Sequence, residues 1–239
     1  MNKTTNYSSS VHWFRRDLRL SDNAALFYAL KHSESVHCVF VFDTDILQHL
    51  PPKDRRITFI WDCLIALDES LKAHGSRLTV LYGKPIELIP AFAASCNANA
   101  VFTNHDDEPA AVVRDNAVAA RLTAQNTGFF TYKDHVVFER DEVMTATGTA
   151  YTVFTPYKNA WHKKLNSNEA QQGENSYFVK AYAVEKYTRN FAQHDFANLD
   201  ESHAVWPTLA EMGFDDTHKI AAPVESCFFI NSQCGCAPS

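Results

Sequence analysis

A dense cluster of charged side chains follows the first apolar segment of the chain. Residues 11–23 read VHWFRRDLRLSDN, with three arginines and two aspartates in a short span. A guanidinium stacks on flat rings and donates hydrogen bonds, while carboxylates accept bonds from ring N–H or hydroxyl groups. These residue types suit the binding of a planar, polar ligand, and no nucleophile or acid–base set accompanies them.

Further polar and aromatic side chains stand where later apolar segments end. Because the carboxyl ends of parallel strands meet at one edge of an open α/β sheet, we expect these groups to converge there. The predicted ligand-binding residues are Phe14, Arg15, Arg16, Phe40, Asp43, Arg56, Asn104, Asp106 and Glu108. No catalytic residue is predicted.

Several charged residues of the cluster also have structural interpretations. We expect Asp17 and Arg19 to form ion pairs that tie the turn to neighbouring helices. Ser21 or Asp22 can cap the following helix, and acidic residues after the fourth strand favour a helix N-terminus without any ligand. Histidines without a partner pattern are expected at the surface or at an edge: His12, His37 and His105.

Five apolar segments of strand length alternate with helical patterns in the first half of the chain. The predicted strands cover residues 11–15, 36–42, 77–82, 100–103 and 128–132, and the predicted helices cover 23–32, 55–74, 85–96 and 108–125. Nearly continuous apolar strands that alternate with helices are typical of parallel sheets covered on both faces. The pattern therefore predicts a Rossmann-like, doubly wound α/β fold with a five-stranded, mainly parallel sheet.

The sequence changes character after residue 132. We predict short extended segments at 136–142 and 151–154 and a short amphipathic helix at 156–165. Residues 1–10 are predicted to be disordered, residues 11–165 to form the α/β domain, residues 166–218 to form an extended linker and residues 219–239 to form a divergent tail.

The composition is that of an ordinary globular protein. The chain has 239 residues, 46% of them hydrophobic, and its formal net charge of −6 argues against a dedicated non-specific nucleic-acid binder. We expect neither a membrane span nor a secretory signal, and therefore a cytoplasmic location. Three of the six cysteines crowd the last residues without enough histidine partners for a zinc site, so no metal is predicted. The oligomeric state stays open.

Familiar nucleotide-binding motifs are missing from the sequence. The first predicted strand is followed by arginines instead of a glycine-rich turn, and no phosphate-binding loop with Gly-Lys-Ser/Thr occurs. A classical NAD site is therefore not predicted. Any ligand at the strand ends must be held by charged and aromatic side chains more than by bare backbone.

At five places, in order, the sequence resembles the photolyase/cryptochrome family. The motif WFRRDLRLSDN at residues 13–23 is similar to that family's opening signature almost residue for residue. The other matching segments are residues 42–47, 54–56, 104–115 and 151–161. The resemblance spans about residues 11–218, and the chain resembles the N-terminal α/β domain of a class I-type DNA photolyase.

This resemblance implies a light-harvesting function. In the family, the N-terminal domain holds an antenna chromophore, and a helical C-terminal domain holds FAD and the flipped pyrimidine dimer that light-driven electron transfer repairs. Folate-binding members place Asn-Glu where this chain has Ala110 and Ala111. Deazaflavin-binding members use an aspartate and an arginine at the positions of Asp106 and Arg56. The resemblance therefore favours a deazaflavin or FMN antenna over folate.

The family's FAD domain is expected to be absent from this chain, because the sequence after residue 215 departs from the family pattern. We expect this chain alone not to repair DNA, and we expect damaged DNA to contact the absent domain. Whether the chain is an enzyme therefore stays open. Two alternatives also stay open: a cryptochrome-type blue-light receptor fragment and a free-standing nucleotide- or flavin-binding module.

Overall fold

A computed structural model describes residues 7–166, 181–194 and 206–215 of the chain. Its strands are β1 (Tyr7–Phe14), β2 (Ser33–Asp43), β3 (Leu78–Gly83), β4 (Ala100–Asn104) and β5 (Gly128–Tyr132). Its helices are α1 (Ala24–His32), α2 (Thr44–Leu47), α3 (Arg55–Lys72), α4 (Pro85–Ser95), α5 (Pro109–Ala124) and α6 (Phe154–Leu165). Single-turn 3-10 helices also lie at Arg140–Glu142, Val184–Lys186 and Thr188–Asn190.

The five strands pair in parallel in the order β3-β2-β1-β4-β5. The register aligns Trp13 of β1 with Val39 of β2, and His12 of β1 with Phe102 of β4. The chain moves outward from β1 to β3 and then returns to the other side of β1 for β4 and β5. The gap beyond the carboxyl ends of β1 and β4 is therefore the topological switch point of the sheet. The predicted doubly wound α/β fold is confirmed.

Alternating side chains of β1 divide the core into two layers. Phe14 belongs to a layer formed with α1 and α3, which includes Leu26 and Leu64. Trp13 belongs to the layer on the opposite face, formed with α4 and α5. Burial of each large apolar side chain stabilises the fold by about 1.5–3 kcal/mol, so the two layers fix the sheet between its helices.

The helix α1 starts within one residue of its predicted position, but its capping residue differs from the prediction. Asn23 is its N-cap, and the Asn23 side-chain oxygen accepts a hydrogen bond from Leu26 N–H at 3.1 Å. Asp22 instead has a left-handed backbone with φ 48°, and its carboxylate accepts a bond from Tyr182 N–H at 2.9 Å. The predicted cap at Ser21 or Asp22 is therefore wrong, because Asp22 serves a long-range contact.

The strand β1 begins at Tyr7, so the prediction of disorder is wrong for residues 7–10. Ser9 and Ser10 pair with β2 through their backbone, which needs no apolar side chain. The predicted extended segment at residues 136–142 contains a 3-10 turn, and α6 already starts at Phe154. Residues 1–6 lie outside the described structure.

Residues 181–194 and 206–215, here called the C-terminal strap, pack onto the layer of α1 and α3. Phe191 is 1% exposed and forms an isolated parallel bridge with Val36 of β2. Trp206 lies edge-on to Trp61, with ring centroids 5.5 Å apart, and its indole N–H donates to the Leu78 carbonyl at 3.1 Å. The linker prediction is therefore wrong for the strap, because its aromatic side chains complete the core. The rest of that linker and the tail at 219–239 lie outside the described residues.

Candidate functional site

Hydrogen bonds fix the turn after β1 on both sides of Arg16. The backbone N–H of Arg15 donates to Asp17 Oδ1 at 2.8 Å. The Arg15 guanidinium donates to both carboxylate oxygens of Asp115, at 2.9 and 2.7 Å, and also to the Asn104 carbonyl. The turn thus joins the ends of β1 and β4 to α5. Arg15 is mostly buried in this arrangement and serves as an anchor.

A buried amide network supports the same turn. Asn104 Nδ2 donates to Asp17 Oδ2 at 2.6 Å and to Asn23 Oδ1 at 2.9 Å. Its Oδ1 accepts from the Ala25 N–H at 2.9 Å, and Asn23 Nδ2 donates to Asp17 Oδ2 at 3.0 Å. The side chain of Asn104, a predicted site residue, is therefore fully engaged in joining β4, α1 and the turn.

His12 is buried beside this network, with its Nε2 4.0 Å from Asp17 Oδ2. Burial lowers the pKa of His12 to about 4, against the opposing influence of Asp17. Burial would raise the pKa of Asp17, but nearby His12 and the hydrogen bonds from Arg15 N–H and Asn104 outweigh it and lower that pKa. The expectation of a surface or edge position for His12 is wrong, because β1 is the central strand of the sheet.

The ion pairs predicted around the turn form only in part. Arg19 Nη2 lies 2.9 Å from the Asp134 carboxylate, which confirms an ion pair for Arg19. The Asp17 carboxylate, in contrast, forms no ion pair with an arginine or lysine side chain within the described part of the chain. His105 contacts the Glu139 carboxylate at 2.8 Å, so it too has a partner that the sequence did not show.

Arg16, Asp106 and Glu108 meet beyond the ends of β1 and β4. Arg16 Nε lies 3.4 Å from Asp106 Oδ2, and Arg16 Nη2 lies 2.6 Å from Glu108 Oε1. The Asp106 side chain is 11% exposed, whereas those of Arg16 and Glu108 are 56% and 63% exposed. The hydrogen bond to Glu108 and the attraction of both carboxylates raise the pKa of Arg16. Three predicted site residues thus come together at the switch point.

Two guanidinium groups lie over the indole ring of Trp13: that of Arg15 at 5.0 Å and that of Arg114 at 5.3 Å from the ring centroid. Arg114 Nη1 also lies 3.5 Å from Asp43 Oδ2, which ties α5 to the end of β2. The sequence reasoning did not select Arg114 or Asp115 as site residues. The available signal was their place in the first two turns of α5, beside the predicted strand ends.

The remaining predicted residues lie apart from the switch-point cluster. Phe14 and Phe40 are 0% and 7% exposed, and both rings pack in the layer of α1 and α3. Arg56 stands in the first turn of α3 with its side chain 71% exposed, and its Nη2 lies 2.6 Å from Asp54 Oδ2. The described contacts do not join Arg56 to Asp106.

Two hollows among the described residues lie away from the switch point. The larger, of about 520 Å³, is lined by amide side chains including Asn97 and Asn126, and the smaller, of about 190 Å³, lies between α3 and Trp206. In the described residues, no helix combines the length and the apolar character needed to cross a bilayer. The same residues hold no group of three His, Cys, Asp or Glu side chains placed to bind a metal ion.

Fold and site together define a Rossmann-like α/β domain whose candidate ligand site is built from charged side chains at the switch point. Residues 10–175 match the family model described as DNA photolyase, and the chain belongs to this family. The resemblance found in the sequence is therefore confirmed. Proteins of this family bind FAD and an antenna chromophore.

Individual relatives agree with this assignment. The chain is 36% identical over 151 residues to a deoxyribodipyrimidine photo-lyase of Synechococcus sp., a match that covers 63% of this chain and 31% of the relative. Cryptochromes also match the chain. The chain spans between about a third and about half of the length of the first curated relatives.

Solved photolyase structures share the fold. A class III photolyase from Agrobacterium tumefaciens superposes with a TM-score of 0.60 at 26% identity, covering 68% of this chain and 32% of that one. An archaeal photolyase from Sulfolobus tokodaii, described with two FAD molecules and as implying a novel light-harvesting cofactor, superposes with a TM-score of 0.55. It is 29% identical, and the match covers 63% of this chain and 34% of that one.

Proposed function

We propose that this chain is the antenna-chromophore-binding part of a deoxyribodipyrimidine photolyase, which takes part in light-dependent repair of UV-induced pyrimidine dimers. The observation that carries the proposal is the pairing of Arg16 with Asp106 at the switch point of a DNA photolyase domain. Light harvesting requires a chromophore that is held near and aligned with a second one. It requires no acid, base or nucleophile from the protein. The absence of a predicted catalytic residue at this site agrees with that requirement.

The donor set at the switch point fits the polar part of a flavin or deazaflavin. Arg16 supplies a half-exposed guanidinium, and Asp106 supplies a nearly buried carboxylate that can accept from a ring N–H or a ribityl hydroxyl. A bound antenna chromophore would supply light absorption and energy transfer. The protein residues only bind it and orient it, and Phe14 and Phe40 offer it no ring surface because both belong to the core.

We favour a flavin-type antenna, deazaflavin or FMN, over folate. Ala110 and Ala111 lie in the first turn of α5 where folate-binding members carry Asn and Glu, so these positions offer no polar side chain. The second FAD of the Sulfolobus tokodaii photolyase supports a flavin in this role. We assign the FAD used for repair and the damaged DNA to the C-terminal domain that members of the family carry. We also propose that the protein acts in the cytoplasm.

Titration of the purified protein with FMN and with an 8-hydroxy-5-deazaflavin, followed by visible absorption and fluorescence, tests this proposal. We expect saturable binding, and we expect Asp106→Asn to weaken it about tenfold because a charge-assisted hydrogen bond is lost. Asp107→Asn is the matched control, because the neighbouring Asp107 carboxylate pairs with Arg140. This substitution should leave the affinity within about twofold of the wild-type value. Absence of binding, or equal behaviour of the two variants, would refute the proposal.

Arg56 is a separate part of the proposal, because only the family resemblance assigns it to the ligand. Its guanidinium is exposed and bonded to Asp54, so it can turn toward a ligand at little cost. We expect Arg56→Ala to weaken deazaflavin binding and Arg55→Ala, in the same exposed helical turn, to leave it unchanged. Equal affinities would remove Arg56 from the site without affecting Asp106.

A blue-light receptor of the cryptochrome type is the second candidate, because cryptochromes are also among the relatives. The antenna site serves either function equally well. Because this chain alone is not expected to repair DNA, the test expresses a C-terminal photolyase domain in UV-irradiated, photolyase-deficient bacteria with and without this chain. Better recovery under blue light when the chain is present favours repair over reception.

A further inference from the structure

The turn after β1 presents Arg16 to solvent from a fixed backbone. The preceding residue, Arg15, is anchored to Asp115, and the following residue, Asp17, is buried in the amide network. The Arg16 side chain between them is 56% exposed. Because its backbone is already immobilised, this guanidinium loses less freedom on binding a ligand than a cation on a mobile loop would.

The two carboxylates that face Arg16 differ in how firmly they are held. Asp106 is nearly buried, and its Oδ1 also accepts the Glu108 N–H at 3.2 Å. The Glu108 side chain is 63% exposed, and the contact that the described structure gives it is the 2.6 Å ion pair with Arg16. Exposed ion pairs of this kind stabilise a fold very little. An external anion can therefore replace Glu108 on Arg16 far more easily than it can replace Asp106.

We propose that the Glu108 carboxylate occupies the position of a ligand phosphate, and that Arg16 selects flavins that carry a terminal phosphate over the same ring system without one. This inference rests on the proposed antenna function and names the chemistry of its ligand. A phosphate monoester carries about −1.5 to −2 charges at pH 7 and bonds to a guanidinium through two oxygens. Asp106 keeps its place and accepts a hydrogen bond from a hydroxyl or ring N–H of the same ligand.

Glu108 has a second consequence for affinity, because it competes with the phosphate for Arg16 and repels it. Removing its charge while keeping its shape, as in Glu108→Gln, should therefore strengthen the binding of a phosphorylated flavin. The binding of a flavin without a phosphate should change little. The two acidic neighbours thus act in opposite ways: Asp106 supports ligand binding and Glu108 limits it.

The test compares FMN with riboflavin, which differ only by the phosphate, through the change in flavin fluorescence on titration with the purified protein. We expect the wild-type protein to bind FMN at least about tenfold more tightly than riboflavin, as charge-assisted hydrogen bonds commonly provide. Arg16→Gln should bring this ratio close to one, and Glu108→Gln should raise it. Arg140→Gln, which removes an equally exposed arginine paired with Asp107, should leave the ratio unchanged.

Each remaining outcome has a definite meaning. Equal affinity for the two flavins in the wild type, or an unchanged ratio in Arg16→Gln, overturns the phosphate selection and leaves the antenna proposal standing. Failure of FMN, riboflavin and the deazaflavin to bind at all refutes the antenna proposal, and the phosphate selection with it. Because the ratio is measured on one preparation, a variant with a reduced folded fraction still reports it.

Discussion

Replacement of Asn104 with alanine tests whether the buried amide network holds the switch point together. The side chain makes three hydrogen bonds, to the Asp17 carboxylate at 2.6 Å, to Asn23 at 2.9 Å and from Ala25 N–H at 2.9 Å. All of these groups are buried, so the substitution leaves each of them without that partner. The sequence had assigned Asn104 to a ligand, whereas the geometry assigns it to stability.

The magnitude follows from the kinds of bond that are lost. The bond to the ionised Asp17 contributes about 1.5–3 kcal/mol, and each of the two neutral bonds contributes about 0.5–1.5 kcal/mol. Asn23 retains its own 3.0 Å bond to Asp17, which limits the loss at that carboxylate. We therefore expect Asn104→Ala to lower the free energy of unfolding by about 3–5 kcal/mol, a large share of the 5–15 kcal/mol typical of a domain.

Urea unfolding followed by far-UV circular dichroism measures this loss. Asn116→Ala is the matched control, because Asn116 lies exposed on α5 and should change the free energy of unfolding by no more than about 0.5 kcal/mol. A loss below about 1 kcal/mol for Asn104→Ala, with an unchanged slope against urea, would show that the network does not stabilise the turn.

Three further predictions concern other parts of the same domain. Burial keeps His12 neutral in the folded protein down to about pH 4, while the unfolded chain protonates it near pH 6.5. The free energy of unfolding should therefore fall by about 2 kcal/mol between pH 7 and pH 5 through His12 alone. Urea unfolding at several pH values should show a weaker pH dependence of this free energy for His12→Leu than for the wild type. An equal pH dependence in the two proteins would contradict the prediction. Phe191→Ala should lower the free energy of unfolding, measured with urea, by about 3–5 kcal/mol because it opens a cavity under the C-terminal strap. Phe154→Ala, at a position that is 75% exposed, should leave this free energy almost unchanged. Similar losses for the two variants would contradict a packed strap. Arg15→Lys should lower the free energy of unfolding by about 1–3 kcal/mol, because an ammonium cannot hold both Asp115 oxygens and the Asn104 carbonyl together. Thermal unfolding measures this loss, and an unchanged midpoint temperature would argue against Arg15 as an anchor.

The sequence predicted the sheet well because its signals are local. Each strand contains a short apolar run, and the family-like motifs at residues 13–23 and 104–115 mark the ends of β1 and β4. Convergence at the switch point then follows from topology alone, and Arg16, Asp106 and Glu108 do meet there.

The roles of individual side chains were harder to predict, because they depend on contacts between distant parts of the chain. Arg15 and Arg16 are neighbours of the same type, yet one is buried against Asp115 and the other is half exposed. Phe14 enters the core because the alternation of β1 directs it to the layer of α1 and α3. Asn104 meets Asp17 across the sheet edge, which no local pattern reveals.

The strap was missed for a different reason. Its described parts contact β2, α1 and Trp61 of α3 as irregular chain with single 3-10 turns, so their buried residues show neither helical nor strand periodicity. Phe191 and Trp206 were nevertheless visible as large aromatic residues in a polar region. Such residues are a signal that an apparent linker packs against a core.

The strap also determines when this domain can finish folding during synthesis. Met212 and Phe214 complete the layer of α1 and α3, yet they leave the ribosome about 80 residues after the last strand, β5. At synthesis rates of about 5–20 residues per second this interval lasts roughly 4–16 s. Until Trp206 emerges, Trp61 of α3 lacks the ring that packs against it, so the nascent chain exposes more apolar surface than the finished protein does.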